Sequence, residues 1–168
     1  MVKIKLAKII VIVGPTASGK SDLAIKIAKK YGGEVISADS RQVYRGMDVG
    51  TGKVLKDRIK KLRIANYGLK NNAQYVIRNR KINQYYSDGI RHHLIDFANP
   101  KKQFTADDFK KLGQKAIDDI LSRSKIPIVV GGTGFYVDVL LGRMSIAEVP
   151  PDKKLRKHFD KLSAQHLL

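Results

Sequence analysis

The apolar run IIVIV at residues 9–13 passes directly into GPTASGKS at residues 14–21, which satisfies the pattern G-x-x-x-x-G-K-[ST]. No other feature of the chain limits the fold as tightly. The glycines let successive backbone N–H groups turn inward on an anion, and the start of the helix that follows adds the positive end of its dipole. Lys20 then brings a point charge to the terminal phosphate, and the Ser21 hydroxyl is suited to Mg²⁺. The sequence predicts a strand, a phosphate-binding loop formed by Gly14, Thr16, Ala17, Ser18, Gly19, Lys20 and Ser21, and a helix, in that order.

Three further β-branched runs read as buried parallel strands, at residues 34–38, 93–97 and 126–130. Helical patterns separate most of them. Leu23, Ala24, Ile27 and Ala28 share one face of a helix over 20–30, and YGG at 31–33 stops it. Thr105 is the natural cap of a second helix, with Asp107 and Asp108 in its first turn and Phe109, Leu112, Ala116, Ile117 and Ile120 at helical spacing. Strands alternating with helices give an α/β fold, a parallel sheet flanked by helices. A chain of 168 residues can bury a real core.

Charge adds a second constraint. The chain carries 33 Lys+Arg against 15 Asp+Glu, a formal net charge of +18, which directs attention to polyanionic partners. Residues 54–91 hold ten basic side chains and two acidic ones, interleaved with Tyr67, Tyr75, Tyr85 and Tyr86. That mixture suits a surface that follows phosphates and stacks bases, and equally a solvated helix followed by a hairpin with packing tyrosines. The absence of cysteine removes disulfides, thiol catalysis and Cys-ligated zinc, and fits a reducing compartment. The N-terminal apolar run is too short for a signal peptide, and no run approaches the roughly 20 apolar residues of a membrane span. The expectation is a soluble, cytoplasmic, monomeric protein without a membrane partner.

Many phosphate-loop enzymes hold Mg²⁺ with an acid at the end of another apolar strand. Here the fourth strand ends IVVGGTG, with glycine at that point, which weakens a hydrolase reading and leaves Asp39 and Asp96 as the acids that follow strand-like runs. Asp39 belongs to SADSRQVYRGMDVG, and neighbouring parallel strands open their C-terminal ends on one crevice. Its carboxylate there can accept a proton, bind a metal through water, or cap the segment that follows. Gly131, Gly132 and Gly134 allow a second close backbone approach at the same end of the sheet, with Thr133 as the polar group among them. His92 and His93 read as strand-entry residues, since no acid or third histidine stands at ligand spacing.

Taken in order, GPTASGKS, SADSRQVYRGMDVGTGK, HHLIDFANPKKQFTADDF and PIVVGGTGFYVDVLLG resemble the tRNA dimethylallyltransferases, also called tRNA isopentenylpyrophosphate transferases. The likeness covers most of residues 8–53 and 92–160. It implies that the phosphate loop holds the diphosphate of dimethylallyl diphosphate, which leaves whole as N6 of an adenosine beside the tRNA anticodon attacks the allylic carbon. It further implies a catalytic set of Lys20, Asp39 and Thr133: Lys20 and Mg²⁺ at Ser21 on the leaving charge, Asp39 as general base on N6, and Thr133 at the reacting centre. Asp39, Ser40, Arg41, Gln42 and Thr133 would lie beside the anticodon stem-loop.

The domain reading is a catalytic core over 1–143, with 54–91 as a basic insertion longer than the family's usual link. Residues 144–168 then form a linker and the first helix of a helical tRNA-binding domain. In EVPPDKK, Asp152 is a candidate helix N-cap, and the helix after it stops at Leu168 with nothing to pack against, so the chain reads as truncated. Two other enzyme classes fit the same loop: a nucleotide or small-metabolite kinase, and an adenylate isopentenyltransferase acting on free AMP.

Overall fold

The computed structural model describes residues 8–57, 84–146 and 152–162. Residues 1–7, the stretch 58–83 that makes up the greater part of the segment read as a basic insertion, and the stretches 147–151 and 163–168 lie outside the described residues. In chain order the elements are β1 (Ile10–Val13), α1 (Lys20–Tyr31), β2 (Gly33–Ser37), β3 (Tyr85–Ser87), β4 (Ile90–His93), α2 (Ala106–Ser122), β5 (Ile126–Gly131), α3 (Gly134–Leu140) and α4 (Lys153–Phe159). Both long helices end as their sequences direct. The chain leaves α1 through Gly32, whose φ of 68° is open to glycine at no steric cost and whose N–H donates to the Ala28 carbonyl. At the start of α2 a capping box forms: Thr105 Oγ1 accepts from Asp108 N–H, and the Asp108 carboxylate accepts from Thr105 N–H. Asp152 caps α4 by accepting from the N–H groups of Lys154 and Leu155.

The described strands form one sheet in the order β1-β5-β2-β4-β3. The ladders β1·β5, β5·β2 and β2·β4 are parallel, and the edge strand β3 pairs antiparallel with β4. Because side chains alternate along a strand, β2 and β5 feed two cores at once. Val35, Ile128 and Val130 pack with Ala24 and Ala28 of α1 on one face. Ile36, Ala38 and Val129 pack on the other with Phe109, Ala116, Ile117 and Ile120 of α2 and Tyr136, Val137 and Leu140 of α3. Phe109 and Tyr136 stack there with ring centroids 4.3 Å apart. Among the described residues no helix is long and apolar enough to cross a membrane.

The strand expected at 93–97 lies earlier. β4 ends at His93, and the chain then turns through Leu94 and Asp96, both at positive φ (57° and 55°). Past that point residues 96–98 return to the turn after β2, where Asp96 N–H donates to the Gln42 carbonyl and Phe97 and Ala98 N–H both donate to Val43. The apolar character of LIDF therefore reflects packing against this turn, and a strand ladder is absent from it. His92 and His93 do sit in β4, and each has a protein partner.

At the end of the sheet away from the phosphate loop, Glu34 is buried at 3% side-chain exposure and gathers Arg123, Lys125 and His93. Arg123 grips it with both guanidinium nitrogens, Lys125 Nζ donates from 2.8 Å, and His93 Nε2 lies 2.7 Å from Oε2. Burial alone would raise this carboxyl, but the hydrogen bonds from Arg123, Lys125 and His93 outweigh it and hold the group well below the usual carboxylate range. Glu34 thus stays ionised in the fold at acidities where the unfolded chain has taken up a proton. Its stabilisation is complete above an ordinary Glu value of about 4.3 and is lost as pH falls below it. Arg123 and Lys125 reach solvent, so screening trims their worth below that of a fully enclosed pair. Glu34→Gln is expected to cost about 2 kcal/mol at neutral pH and to flatten the acid limb of the stability curve. Urea denaturation at a series of pH values measures this, and an unchanged acid limb would take Glu34 out of the role.

Candidate active site

Strands β1, β2 and β5 end side by side, and each is followed by a segment that the sequence had marked. After β1 the loop at 14–19 takes two left-handed residues, Ala17 at φ 64° and Gly19 at φ 77°. Gly19 stands at the N-cap of α1 without a side-chain cap, so the first N–H groups of the helix are turned to the loop with no acceptor supplied by the cap residue. Lys20 folds back on the loop and donates from Nζ to the Pro15 carbonyl at 2.6 Å. Ser21 is half-buried beside it.

After β2 the chain reaches Asp39, whose two oxygens have different surroundings. Oδ1 accepts from the backbone N–H groups of Arg41 (2.9 Å) and Gln42 (3.3 Å), which pins the turn that follows. Oδ2 has no donor among the described residues. After β5, Thr133 N–H donates to the Ala38 carbonyl at 3.2 Å, and Thr133 Oγ1 accepts from Ser40 N–H at 3.1 Å. The ends of β2 and β5 are thereby stitched together beside the carboxylate. Gly131 makes the approach possible, since a Cβ there would run into the Ala38 backbone, and a Cβ on Gly132 would lie 3.5 Å from the Gly14 carbonyl oxygen.

A pocket of about 260 Å³ opens on this edge, lined by Pro15 and Thr16 of the phosphate loop, by Asp39, Ser40 and Arg41, by Gly50 and Thr51, and by Gly132 and Thr133. Of the residues expected to act together, Thr16, Asp39, Ser40, Arg41 and Thr133 line it. Gly14, Ala17, Ser18, Gly19, Lys20 and Ser21 form the adjoining loop and helix start. Gln42 stands behind the wall: its Oε1 accepts from Ser37 Oγ at 2.9 Å, and its Nε2 donates to the carbonyls of Thr51 and Gly52. Asp96, the other acid weighed for a metal, is engaged elsewhere, by Gly46 N–H and Lys53 Nζ, each at 2.9 Å. Burial would raise its carboxyl, but Gly46 N–H and the ammonium groups of Lys53 and Lys56 hold it below its ordinary value.

Gly50 and Thr51 escaped sequence reasoning as wall residues. The available signal was the glycine spacing in GMDVGTGK, where Gly46, Gly50 and Gly52 all adopt positive φ. Among the described residues no group of three His, Cys, Asp or Glu side chains is arranged to hold a metal. A divalent ion here would draw on the Ser21 hydroxyl, which has no described hydrogen-bond partner, together with phosphate oxygens and water. That donor set fits Mg²⁺, which takes few protein ligands beside a bound phosphate. Chemically the arrangement offers an anion cradle and, within the same pocket, a carboxylate with one oxygen available to a proton.

Known proteins resemble this chain over most of its length. The model of the IPP transferase family matches residues 73–167, and that of the isopentenyl transferases matches residues 7–96. A tRNA dimethylallyltransferase of Oceanobacillus iheyensis is 40% identical over 154 residues, which is 92% of this chain and 40% of that protein. The crystal structure of the full-length tRNA isopentenylpyrophosphate transferase of Bacillus halodurans superposes with a TM-score of 0.64 at 35% identity, over 91% of this chain and 41% of the other. A eukaryotic dimethylallyltransferase acting on tRNA gives 0.62 at 32% identity, over 92% and 31%. The chain therefore spans about 40% of the length of the curated relative it matches.

The loop geometry predicts that inorganic pyrophosphate binds at 14–21. Lys20→Ala is expected to weaken that binding at least about tenfold by titration calorimetry, the worth of one charge-assisted contact. Unchanged affinity would mean that the loop is not the anion site.

Proposed function

Because the chain belongs to the IPP transferase family, whose model covers more than half of it, we propose that it transfers a dimethylallyl group from dimethylallyl diphosphate to N6 of an adenosine adjacent to a tRNA anticodon, with release of diphosphate. The observation that carries this reading is the shared pocket: the phosphate loop supplies one wall, and Asp39, with Oδ1 fixed and Oδ2 without a donor, supplies another.

In the reaction the bond between the allylic carbon and the diphosphate oxygen breaks, its electron pair leaving with the diphosphate. The N6 lone pair forms the new carbon–nitrogen bond, and the proton that N6 sheds goes to Asp39 Oδ2. Backbone N–H groups of residues 16–21, Lys20 swung from the Pro15 carbonyl, and the start of α1 neutralise the leaving charge, the largest single demand of such a substitution. Mg²⁺ held at Ser21 would add Lewis-acid neutralisation of that charge. An exocyclic amine on adenine is hardly basic, so a positioned acceptor matters as it alkylates. Thr133 and Ser40, tied to each other, border the path of the incoming base, and Arg41 offers a cation to the RNA backbone. The target base has to leave its stack to reach such a pocket, and the large basic excess of the chain serves the RNA that carries it. A chain without cysteine suits the reducing conditions of the cytoplasm, where we place this activity.

The test is a transfer assay with radiolabelled dimethylallyl diphosphate, Mg²⁺ and an unmodified anticodon stem-loop, run beside AMP and beside ATP hydrolysis. Label in RNA supports the reading. Label in AMP alone moves the activity to the adenylate isopentenyltransferases, and ATP turnover without label moves it to a kinase. Asp39→Asn keeps an oxygen for the Arg41 and Gln42 N–H groups while removing the proton acceptor. It is expected to lower transfer at least about a hundredfold with diphosphate affinity unchanged. Undiminished turnover would exclude Asp39 as the base.

A further inference from the structure

Lys53 lines no part of the pocket, yet it is among the most enclosed charges of the described chain, with its side chain 3% exposed. A lysine is rarely so buried unless every proton has a partner. Here Nζ donates to the Tyr44 carbonyl at 2.7 Å, to Asp48 Oδ1 at 2.9 Å and to Asp96 Oδ1 at 2.9 Å. Those acceptors stand on three separate segments: the turn that follows Asp39, the loop at 46–52, and the chain leaving β4.

That loop has little else to define it. It is neither helix nor strand, and it turns through three glycines at positive φ. Its internal bonds run from Thr51 Oγ1 to the Met47 and Asp48 carbonyls, and Gln42 Nε2 holds Thr51 and Gly52 from behind. Gly50 and Thr51 nevertheless form a wall of the pocket, and a Cβ on Gly52 would lie 3.8 Å from Thr16 of the phosphate loop. Asp96, another partner of Lys53, leads to the part of the pocket that holds Asp39. Asp96 accepts from Gly46 N–H through its carboxylate and donates its own N–H to the Gln42 carbonyl, while Gln42 N–H donates to Asp39 Oδ1.

The geometry points to Lys53 as a positioning residue of the transfer site, one that fixes the separation between the Gly50–Thr51 wall and the Asp39 carboxylate by clamping Asp48, Asp96 and Tyr44 on a single ammonium. The inference rests on the transferase reading for its chemistry. Lys53 acts on the approach of the nucleophile and proton transfer, where small misplacements of reacting groups are costly, and leaves the anion cradle of residues 14–21 alone.

The variants are Lys53→Met and Lys53→Met/Asp96→Asn, the second so that the half-buried Asp96 carboxylate is not left without its main counter-charge; Asp48 is solvated. Three quantities are measured: pyrophosphate affinity by calorimetry, kcat and KM in the transfer assay, and hydrogen exchange of the loop and α2 amides. The expected result is unchanged pyrophosphate affinity and an unchanged KM for dimethylallyl diphosphate, a kcat lowered at least about tenfold, and faster exchange at 46–52 with α2 exchange as in the parent. A parental kcat in a variant whose loop exchange has risen would overturn the proposal, since the wall would have loosened without consequence. So would a fall in kcat matched by lost pyrophosphate affinity, or a loop whose exchange does not change. If both variants fail to fold, Lys53→Arg keeps the charge but not the three-point geometry, and a parental kcat there would likewise overturn it. A parent chain that transfers nothing to any acceptor sinks the transferase reading itself, and the exchange measurement then shows separately whether Lys53 holds the wall.

Discussion

The close contact between the ends of β2 and β5 governs the architecture of the site. Backbone meets backbone there because Gly131 carries no side chain to keep Ala38 away, and the gap is closed by Ala38 N–H on the Val130 carbonyl at 2.7 Å and Thr133 N–H on the Ala38 carbonyl at 3.2 Å. Without that convergence Asp39 and Thr133 would stand on separate strand ends with water between them. With it, a carboxylate and a hydroxyl border one pocket, and the phosphate loop, one strand further along the sheet, forms the next wall. The helices on either face serve this arrangement by fixing the two strands: α1 over Val35 and Ile128, α2 and α3 over Ile36 and Val129.

The few acids of a chain with a net charge of +18 are used as fasteners. Asp108 caps α2 and Asp152 caps α4. Asp57 accepts from the N–H groups of Asp88 and Gly89 at 2.8 Å each, closing the β3–β4 turn. Glu34 collects the cations at the far end of the sheet, and Asp96 anchors the loop over the pocket. Each sits where backbone N–H groups or a basic side chain would otherwise be left unpaired. The excess of lysine and arginine that remains suits the RNA substrate proposed for the chain.

Much of this was legible in the sequence because it is local. A strand that ends in a glycine loop, helices at 3.6-residue spacing with their own caps, and a β-branched run closing on two glycines specify β1, α1, β2, α2 and β5 within short windows. The phosphate loop, Asp39 and Thr133 follow from the same reading. What failed was non-local. LIDF has the composition of a strand, but it is bent by its bonds to the turn at 42–43, fifty residues away in the chain. The short helix α3 begins at a glycine, and the Thr133 hydroxyl at its N-cap accepts from Ser40 N–H, ninety-three residues away in the chain, and makes no cap bond to the helix. Lys53 looks in sequence like one more surface cation among many; only the convergence of three segments on one point makes it a buried hub.

In the proposed reaction Asp39 divides its work between two atoms, and that division bears on how the site would cycle. An oxygen that holds a turn and an oxygen that takes a proton are joined through one carbon, so Oδ2 can be protonated and released while Oδ1 remains an acceptor for the Arg41 and Gln42 N–H groups. The backbone around the base then has no second conformation to visit in each turnover. Little reorganisation energy is demanded between cycles, and the polar surroundings stand ready before the next base arrives.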